Sequence, residues 1–377
     1  MSVVGFQLRE PMRILHTESS RGWGGQELRI LAEARGMMAR GHAVWIAAPP
    51  ESRIGQAASA SGLALIGADF RRPWAARDLR RLCGAIRSLG IEVVNTHSSW
   101  DSWIGGFAGR LARTGVRVVR TRHLSTTIAN SWFSRVLYTR LADHVVTTGE
   151  AIRDQMIRDN GYPGERITSV VTGVDPSALQ PGQGPAAVRA ALGIPATVPV
   201  VGTLSTLRSW KGHLDLLEAL VRLRATRDVL GIFVGAGPYE EVIRARIRDL
   251  CLGASVVMPG HREDVADLLS AMDVFAFPST ANEGVPQAVL QAMALRRPIV
   301  AARIGGIPEI VRDGETGLLV PSRDPGALAT GIAQVLDDPV GAARRAEAAA
   351  DLVRASYTLE VMLDKMEGVY YKVCSRA

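Results

Sequence analysis

From Met12 onward, short apolar runs alternate with helix-length stretches whose apolar positions recur every three or four residues. Residues 13–16 form the first run, a Gly-rich loop follows, and residues 26–40 are periodic, which predicts strand, loop and helix. Further runs at 43–47, 63–66, 92–96, 117–120, 143–147 and 166–171 are spaced by helix-length segments. Repeated strand–helix–strand units of this kind predict a parallel sheet covered on both faces.

Residues 180–199 hold Pro181, Gly182, Gly184, Pro185, Gly193, Pro195 and Pro199, the densest set of chain breakers in the middle of the chain. A boundary is expected there, with one α/β domain over 1–185 and a second over 186–356. The alternation then restarts, with runs at 199–204, 229–234, 255–258, 274–277, 298–301 and 317–320. Two Rossmann-like lobes of one type would bind ligands at the carboxyl ends of their strands, in the cleft between them. The last segment, 357–377, carries an amphipathic pattern over 357–373 that either caps the second lobe or crosses back to the first.

The chain has 377 residues, enough for two cores, and its 47% hydrophobic and 21% charged residues fit a folded protein. It lacks an apolar run long enough for a membrane-spanning helix, and residues 1–11 lack a secretory pattern, so a cytoplasmic location is expected. Cys83, Cys251 and Cys374 are few and far apart, which fits a reducing compartment. Residues 1–190 carry 24 arginines, no lysine and 15 acids, a net +9, whereas residues 191–377 carry 20 bases and 22 acids, a net −2. The first half therefore suits an anionic partner, and an acidic lipid surface or phosphate-bearing acceptor fits as well as nucleic acid.

Several loops carry candidate chemistry. Arg21-Gly22-Trp23-Gly24-Gly25-Gln26-Glu27 joins the first strand to the first helix, where glycines admit a close ligand and helix N–H groups face an anion. Arg208 and Lys211, three apart after another strand and with Gly212 behind them, could clamp a diphosphate and neutralise a leaving group. The most specific stretch is 277–294. Glu283 there can accept hydrogen bonds from sugar hydroxyls, Gly284 lets a helix start approach phosphate, Pro286 suits a first helical turn, and Gln291 lies eight residues on. Gly305-Gly306-Ile307-Pro308-Glu309 and 313–317 are turn-rich loops around a short helix. Gly235-Ala236-Gly237 is only half of a dinucleotide fingerprint.

Taken together, these residues resemble the retaining glycosyltransferases of family 4, which have the GT-B fold. The resemblance covers nearly the whole chain and rests on Gly24 to Glu27, Lys211-Gly212, Glu283-Gly284 with Gln291, Gly305 to Glu309, and residues 313–320. It implies a UDP- or GDP-linked sugar as donor, held by the second lobe, and a saccharide, lipid-linked or lipopolysaccharide acceptor on the first. Neither a cofactor, a metal nor a nucleic-acid partner is implied, and no Asp-x-Asp triplet occurs in the chain. The implied catalytic residues are Glu283 and His123. The donor-binding residues are Gly25, Arg208, Lys211, Gly284, Val285, Pro286, Gln291, His261 and Arg262, and Glu27, His97 and Arg122 belong to the acceptor side.

Two departures stand out: Gln291 replaces the family's second acid, and the arginine usually five or six residues before the lysine is absent, Ser205 and Thr206 holding those places. A sugar-nucleotide epimerase and a non-catalytic sugar-nucleotide-binding subunit are the rival readings. The aromatic and basic residues of 131–140, with Arg71, Arg72, Pro73, Trp74, Arg77, Arg80, Arg81 and Arg87, predict docking on an anionic inner-membrane surface.

Overall fold

The structure, a computed structural model, describes residues 10–71, 75–281 and 283–375; Arg72, Pro73 and Trp74 of the predicted basic cluster lie outside the described residues. In the first lobe, β1 (Arg13–Thr17), β2 (Ala43–Ala48), β3 (Ala64–Gly67), β4 (Val93–Thr96), β5 (Arg117–Arg122), β6 (His144–Thr147) and β7 (Ile167–Ser169) form one sheet in the order β3-β2-β1-β4-β5-β6-β7. In the second, β8 (Val200–Leu204), β9 (Leu230–Val234), β10 (Val256–Gly260), β11 (Val274–Phe277), β12 (Ile299–Ala302) and β13 (Leu318–Val320) follow the order β10-β9-β8-β11-β12-β13. The strands within both sheets run parallel. Ile14, Leu15, Val93 and Val94, like Val200, Val201, Val274 and Phe275, are fully buried, because helices cover both faces; such strands read as unbroken apolar runs.

Each sheet reverses its winding once, between β1 and β4 and between β8 and β11, and these reversals open a crevice at the carboxyl ends of the strands. This is the GT-B arrangement of two Rossmann-like lobes.

The breaker-rich stretch is not wholly irregular. Pro185 opens a helix, Pro185–Ala191, at the one place where a missing N–H costs nothing, and Val188 joins Ile194 and Val200 in the core of the second lobe.

The Pro339–Ser356 helix packs Ala349 and Val353 into the second lobe, after which the chain returns to the first. Two bonds mark the crossing, Val174 N–H to Tyr357 O (3.0 Å) and Leu359 N–H to Val174 O (2.7 Å). The Leu359–Cys374 helix, capped by Thr358, then buries Met362, Leu363, Met366, Val369, Tyr370 and Val373 with Ile14, Ile30 and Met37 of the first lobe. Gly36 allows the close approach, since a Cβ there would stand 2.3 Å from Leu363 Cδ1.

Beneath that helix lies a polar cluster. Arg29, fully buried, donates to Val170 O (2.7 Å) and Thr172 Oγ1 (3.0 Å), Tyr370 donates to Glu33, and Asn95 Nδ2 donates to the Tyr370 hydroxyl (2.8 Å).

Candidate active site at the lobe boundary

Because β8 and β11 are neighbours, the loops that follow them lie side by side. Lys211 Nζ meets Glu283 Oε1 at 2.7 Å, and Ser279 Oγ donates to the same oxygen at 2.6 Å. Thr280 N–H binds Trp210 O (2.7 Å), and Gly212, at φ +71°, sits where a Cβ would be 1.9 Å from Pro278 O. Only glycine fits that approach. Glu283 is 4% exposed and does not cap the Gln287–Ala294 helix, whose N-cap is Pro286. Its backbone is held from behind: Gly306 N–H donates to Glu283 O (3.3 Å), and Gly305, at φ +54°, would place a Cβ 2.2 Å from that oxygen.

Other predicted donor-side residues are spread more widely. Arg208 is exposed, its guanidinium carbon 5.8 Å from the centre of the Trp210 ring. Val285 is buried, and Gln291 is half-buried one turn into the Gln287–Ala294 helix. His261 and Arg262 are exposed just past β10, the edge strand two places from β8, and Arg262 Nε binds Asp264 Oδ1 at 2.8 Å. Gly235 and Gly237 serve packing, since Cβ atoms there would stand 1.9 Å from Ser205 O and 2.3 Å from Leu207 O. Residues 313–317 are architectural as well, with Asp313 Oδ1 accepting from Leu319 N–H (2.9 Å) and Thr316 bonded to Arg312 N–H (2.8 Å).

The first lobe supplies the facing wall. A Cβ on Gly25 would stand 3.9 Å from Gln287 Oε1, and one on Gly24 would stand 3.9 Å from Thr206 Oγ1, so the Gly-rich loop looks onto the loops of the second lobe. Gly284 reaches across to the first lobe, where a Cβ would meet Thr148 Oγ1 at 2.8 Å and His123 O at 3.2 Å. Glu27 is 5% exposed at the start of the Gly25–Ala39 helix. Arg122 is spent within its own lobe, on the Tyr138 hydroxyl (2.9 Å) and Thr126. His97 is buried between two other histidines, its Nε2 3.1 Å from His16 Nδ1 and its Nδ1 3.0 Å from His123 Nε2. Burial and nearby cations hold His97 and His123 well below the ordinary imidazole range, so both rings are neutral at pH 7.

Three acids that sequence reasoning gave no role organise this boundary. Glu18, just past β1, accepts from Ser20 N–H (2.6 Å), Gln26 and Ser98, and burial beside Asp101 pushes its carboxyl up to about 8. Asp101 accepts from Thr17 Oγ1 (3.0 Å), Ser19 Oγ (3.0 Å) and His97 N–H (2.9 Å) while closing the capping box of the Ser99–Ala112 helix. The Ser98-x-x-Asp101 spacing was a readable signal for that cap. Glu309, from the second lobe, accepts from Glu150 N–H (2.8 Å) and Ala151 N–H (2.7 Å), capping the Glu150–Asn160 helix of the first. Val285 N–H reaches Thr148 O (3.4 Å) beside it.

Comparison with known proteins agrees with this geometry. A family model described as Glycosyltransferase Family 4 matches residues 23–178, and one described as Glycosyl transferases group 1 matches residues 198–338. A D-inositol 3-phosphate glycosyltransferase of Kineococcus radiotolerans is 31% identical over 312 residues, covering 72% of this chain and 71% of that protein. The Corynebacterium efficiens protein of that name is 31% identical over 279 residues, and the match spans 67% of this chain and 65% of its length. Among solved structures, a glycosyltransferase from Rickettsia africae superposes with a TM-score of 0.88 at 21% identity, covering 98% of this chain and 100% of that one. Anabaena Alr3699/HepE in complex with UDP-glucose superposes at 0.86 and 22% identity, covering 96% and 100%. The chain is a GT-B protein of the glycosyltransferase class. Within that class it belongs to the group 1, family 4 glycosyltransferases.

Proposed function

We propose that this protein transfers a hexose-type sugar from a UDP- or GDP-linked donor to a lipid-linked, lipopolysaccharide or other glycan acceptor, with retention and without a metal. The observation that carries the reading is the Lys211–Glu283 pair at the lobe boundary. A bound diphosphate would compete with Glu283 for the Lys211 ammonium, leaving the carboxylate to accept from sugar hydroxyls. In the transfer, the bond from the sugar carbon to the phosphate oxygen breaks, the acceptor oxygen bonds to the same face, and its proton passes to the departing phosphate. Lys211 and Arg208 would offset the charge that develops on that phosphate. HepE, described in complex with UDP-glucose, supports a sugar nucleotide of this type as donor.

The test is a panel of UDP- and GDP-sugars, with and without a chelator, assayed for donor hydrolysis and for transfer to acceptors that include D-inositol 3-phosphate. NMR of the product's anomeric centre reads the stereochemistry. Inversion, loss of turnover with chelator, or conversion of the free donor into an epimer would each overturn the corresponding part of the reading.

A peripheral position on an anionic inner-membrane surface is part of the proposal. Much of the predicted basic cluster is engaged internally, Arg77 with Asp78 (3.4 Å) and Arg87 with Ala112 O (3.2 Å) and Leu111 O (2.9 Å). The support comes instead from exposed Trp100, Phe107, Leu111, Trp132 and Phe133, of which Phe107 and Phe133 flank the Trp103 ring at 5.9 Å and 6.4 Å, with Arg135 and Arg140 exposed along the same segment as Trp132 and Phe133. Aromatics interleaved with arginines suit acidic headgroups. Equal flotation with acidic and neutral vesicles would exclude it.

A further inference from the structure

β1, β4 and β5 are adjacent in the first sheet, and their carboxyl ends place His16, His97 and His123 in a row that runs from the interior to the lobe boundary. His16 Nδ1 lies 3.1 Å from His97 Nε2, and His97 Nδ1 lies 3.0 Å from His123 Nε2. Each contact joins an Nδ1 to an Nε2 and needs one proton, while a neutral imidazole carries one proton in all. The row therefore has only two states. In one, every ring is protonated on Nε2 and the bonds point inward; in the other, every ring is protonated on Nδ1 and they point outward.

The inner end separates the two. Among the described residues, His16 Nε2 is buried without a hydrogen-bond partner, and Glu33 Oε2, ion-paired with Arg29 Nε at 3.9 Å, likewise accepts no hydrogen bond. Burial, the largest influence on His16, keeps its ring neutral, and the negative charge of Glu33 draws its one proton to the inner end against the smaller opposing effect of Arg29. At the outer end, burial first, and then the charges of Arg29 and Arg120, keep His123 neutral. Among the described residues none bonds His123 Nδ1, and the ring is not sealed from solvent.

We propose that His97 and His16 are positioning residues that hold His123 in the Nε2–H form, leaving its Nδ1 free to accept a hydrogen bond from a ligand hydroxyl at the lobe boundary. The inference rests on the sugar-transfer reading for its ligand, and on the row alone for its tautomer. It gives a role to His97, whose two ring nitrogens are both engaged by neighbouring histidines.

The experiment is long-range proton–nitrogen correlation NMR on the full chain labelled with ¹⁵N-histidine, with His123→Gln identifying the His123 signal. The expected result is a neutral His123 protonated on Nε2 from about pH 6 to about pH 8. His97→Leu cuts the row, and His123 is expected to average both tautomers. His97→Asn places an amide oxygen where Nδ1 stood and is expected to keep the Nε2–H form. With UDP-glucose as donor probe, His97→Leu should lower kcat/KM about tenfold, as for one lost hydrogen bond, and His97→Asn should recover most of it. An Nδ1–H form of His123 in the unaltered protein, or an unchanged tautomer in His97→Leu, overturns the proposal. Should His97→Leu fail to fold, the unaltered protein and His97→Asn still decide it. Absence of turnover with every donor sugar would overturn the sugar-transfer reading, while the tautomer continues to be read from the unliganded protein.

Discussion

Lys211 and Glu283 are 72 residues apart in sequence, and their side chains meet at 2.7 Å with Ser279 as a third partner. The pair satisfies two charges that would otherwise stand alone in a nearly closed site, which is why neither side chain is splayed toward solvent.

Glu283→Gln keeps the shape of the side chain and removes its charge. Donor turnover is expected to fall by about 100-fold or more, on the scale of a lost electrostatic contact to the reacting group. Tm should fall as well, because the Lys211 ammonium loses its counter-charge in a largely buried pair. Unchanged turnover would remove Glu283 from the chemistry.

Glu309→Ala strips two backbone N–H groups of their acceptor across the lobe boundary. A lost cap costs about 1 kcal/mol, and here the loss falls on the contact between lobes. Amide exchange at Glu150 and Ala151 should accelerate by about fivefold, with a higher KM for donor. Unaltered exchange would mean that the lobes are held elsewhere.

Glu18→Gln tests the buried carboxyl pushed up to about 8 by burial and by Asp101. An unfolded glutamic acid titrates near about 4.3, so between these values the folded protein keeps a proton that the unfolded chain has released. This group's contribution to stability is full below the unfolded value and is lost as pH rises through 8. The variant should lack that loss: its Tm relative to the unaltered protein should climb across the window and level off above it. A constant difference at all pH values would contradict the shift.

Gly36→Ala introduces a methyl 2.3 Å from Leu363 Cδ1. Overpacking of this kind costs about 1–3 kcal/mol, and the returning C-terminal helix is expected to loosen first, seen as faster exchange over its residues and a lower Tm. An unchanged Tm would show that Leu363 yields without cost.

The strands were legible because parallel strands covered on both faces are continuous apolar runs: the run at 13–16 became β1, Arg13–Thr17, and the run at 274–277 became β11 unchanged. The helix Pro185–Ala191 was hidden among breakers, since a proline at a first helical turn reads like one in a loop. Residues 131–140 carried helical spacing, yet they fold as a single turn, Trp132–Arg135, followed by a π-helix, Val136–Leu141; apolar spacing does not reveal which carbonyl each N–H will choose. Glu283 stood out through its neighbours in sequence, whereas Glu309 was visible only as part of a turn-rich loop, because the helix it caps begins 159 residues earlier.

Periodicity and chain breakers, which act over a few residues, were enough to specify the two parallel-sheet lobes, the loops at their strand ends and the residue types those loops offer. Tertiary structure alone decided which of those residues meet. The Lys211–Glu283 pair, the Glu309 cap and the row His16–His97–His123 each depend on which strands become neighbours and how the lobes face. Those are long-range choices made by burial of whole sheets and helices, and local patterning along the chain does not encode them one residue at a time.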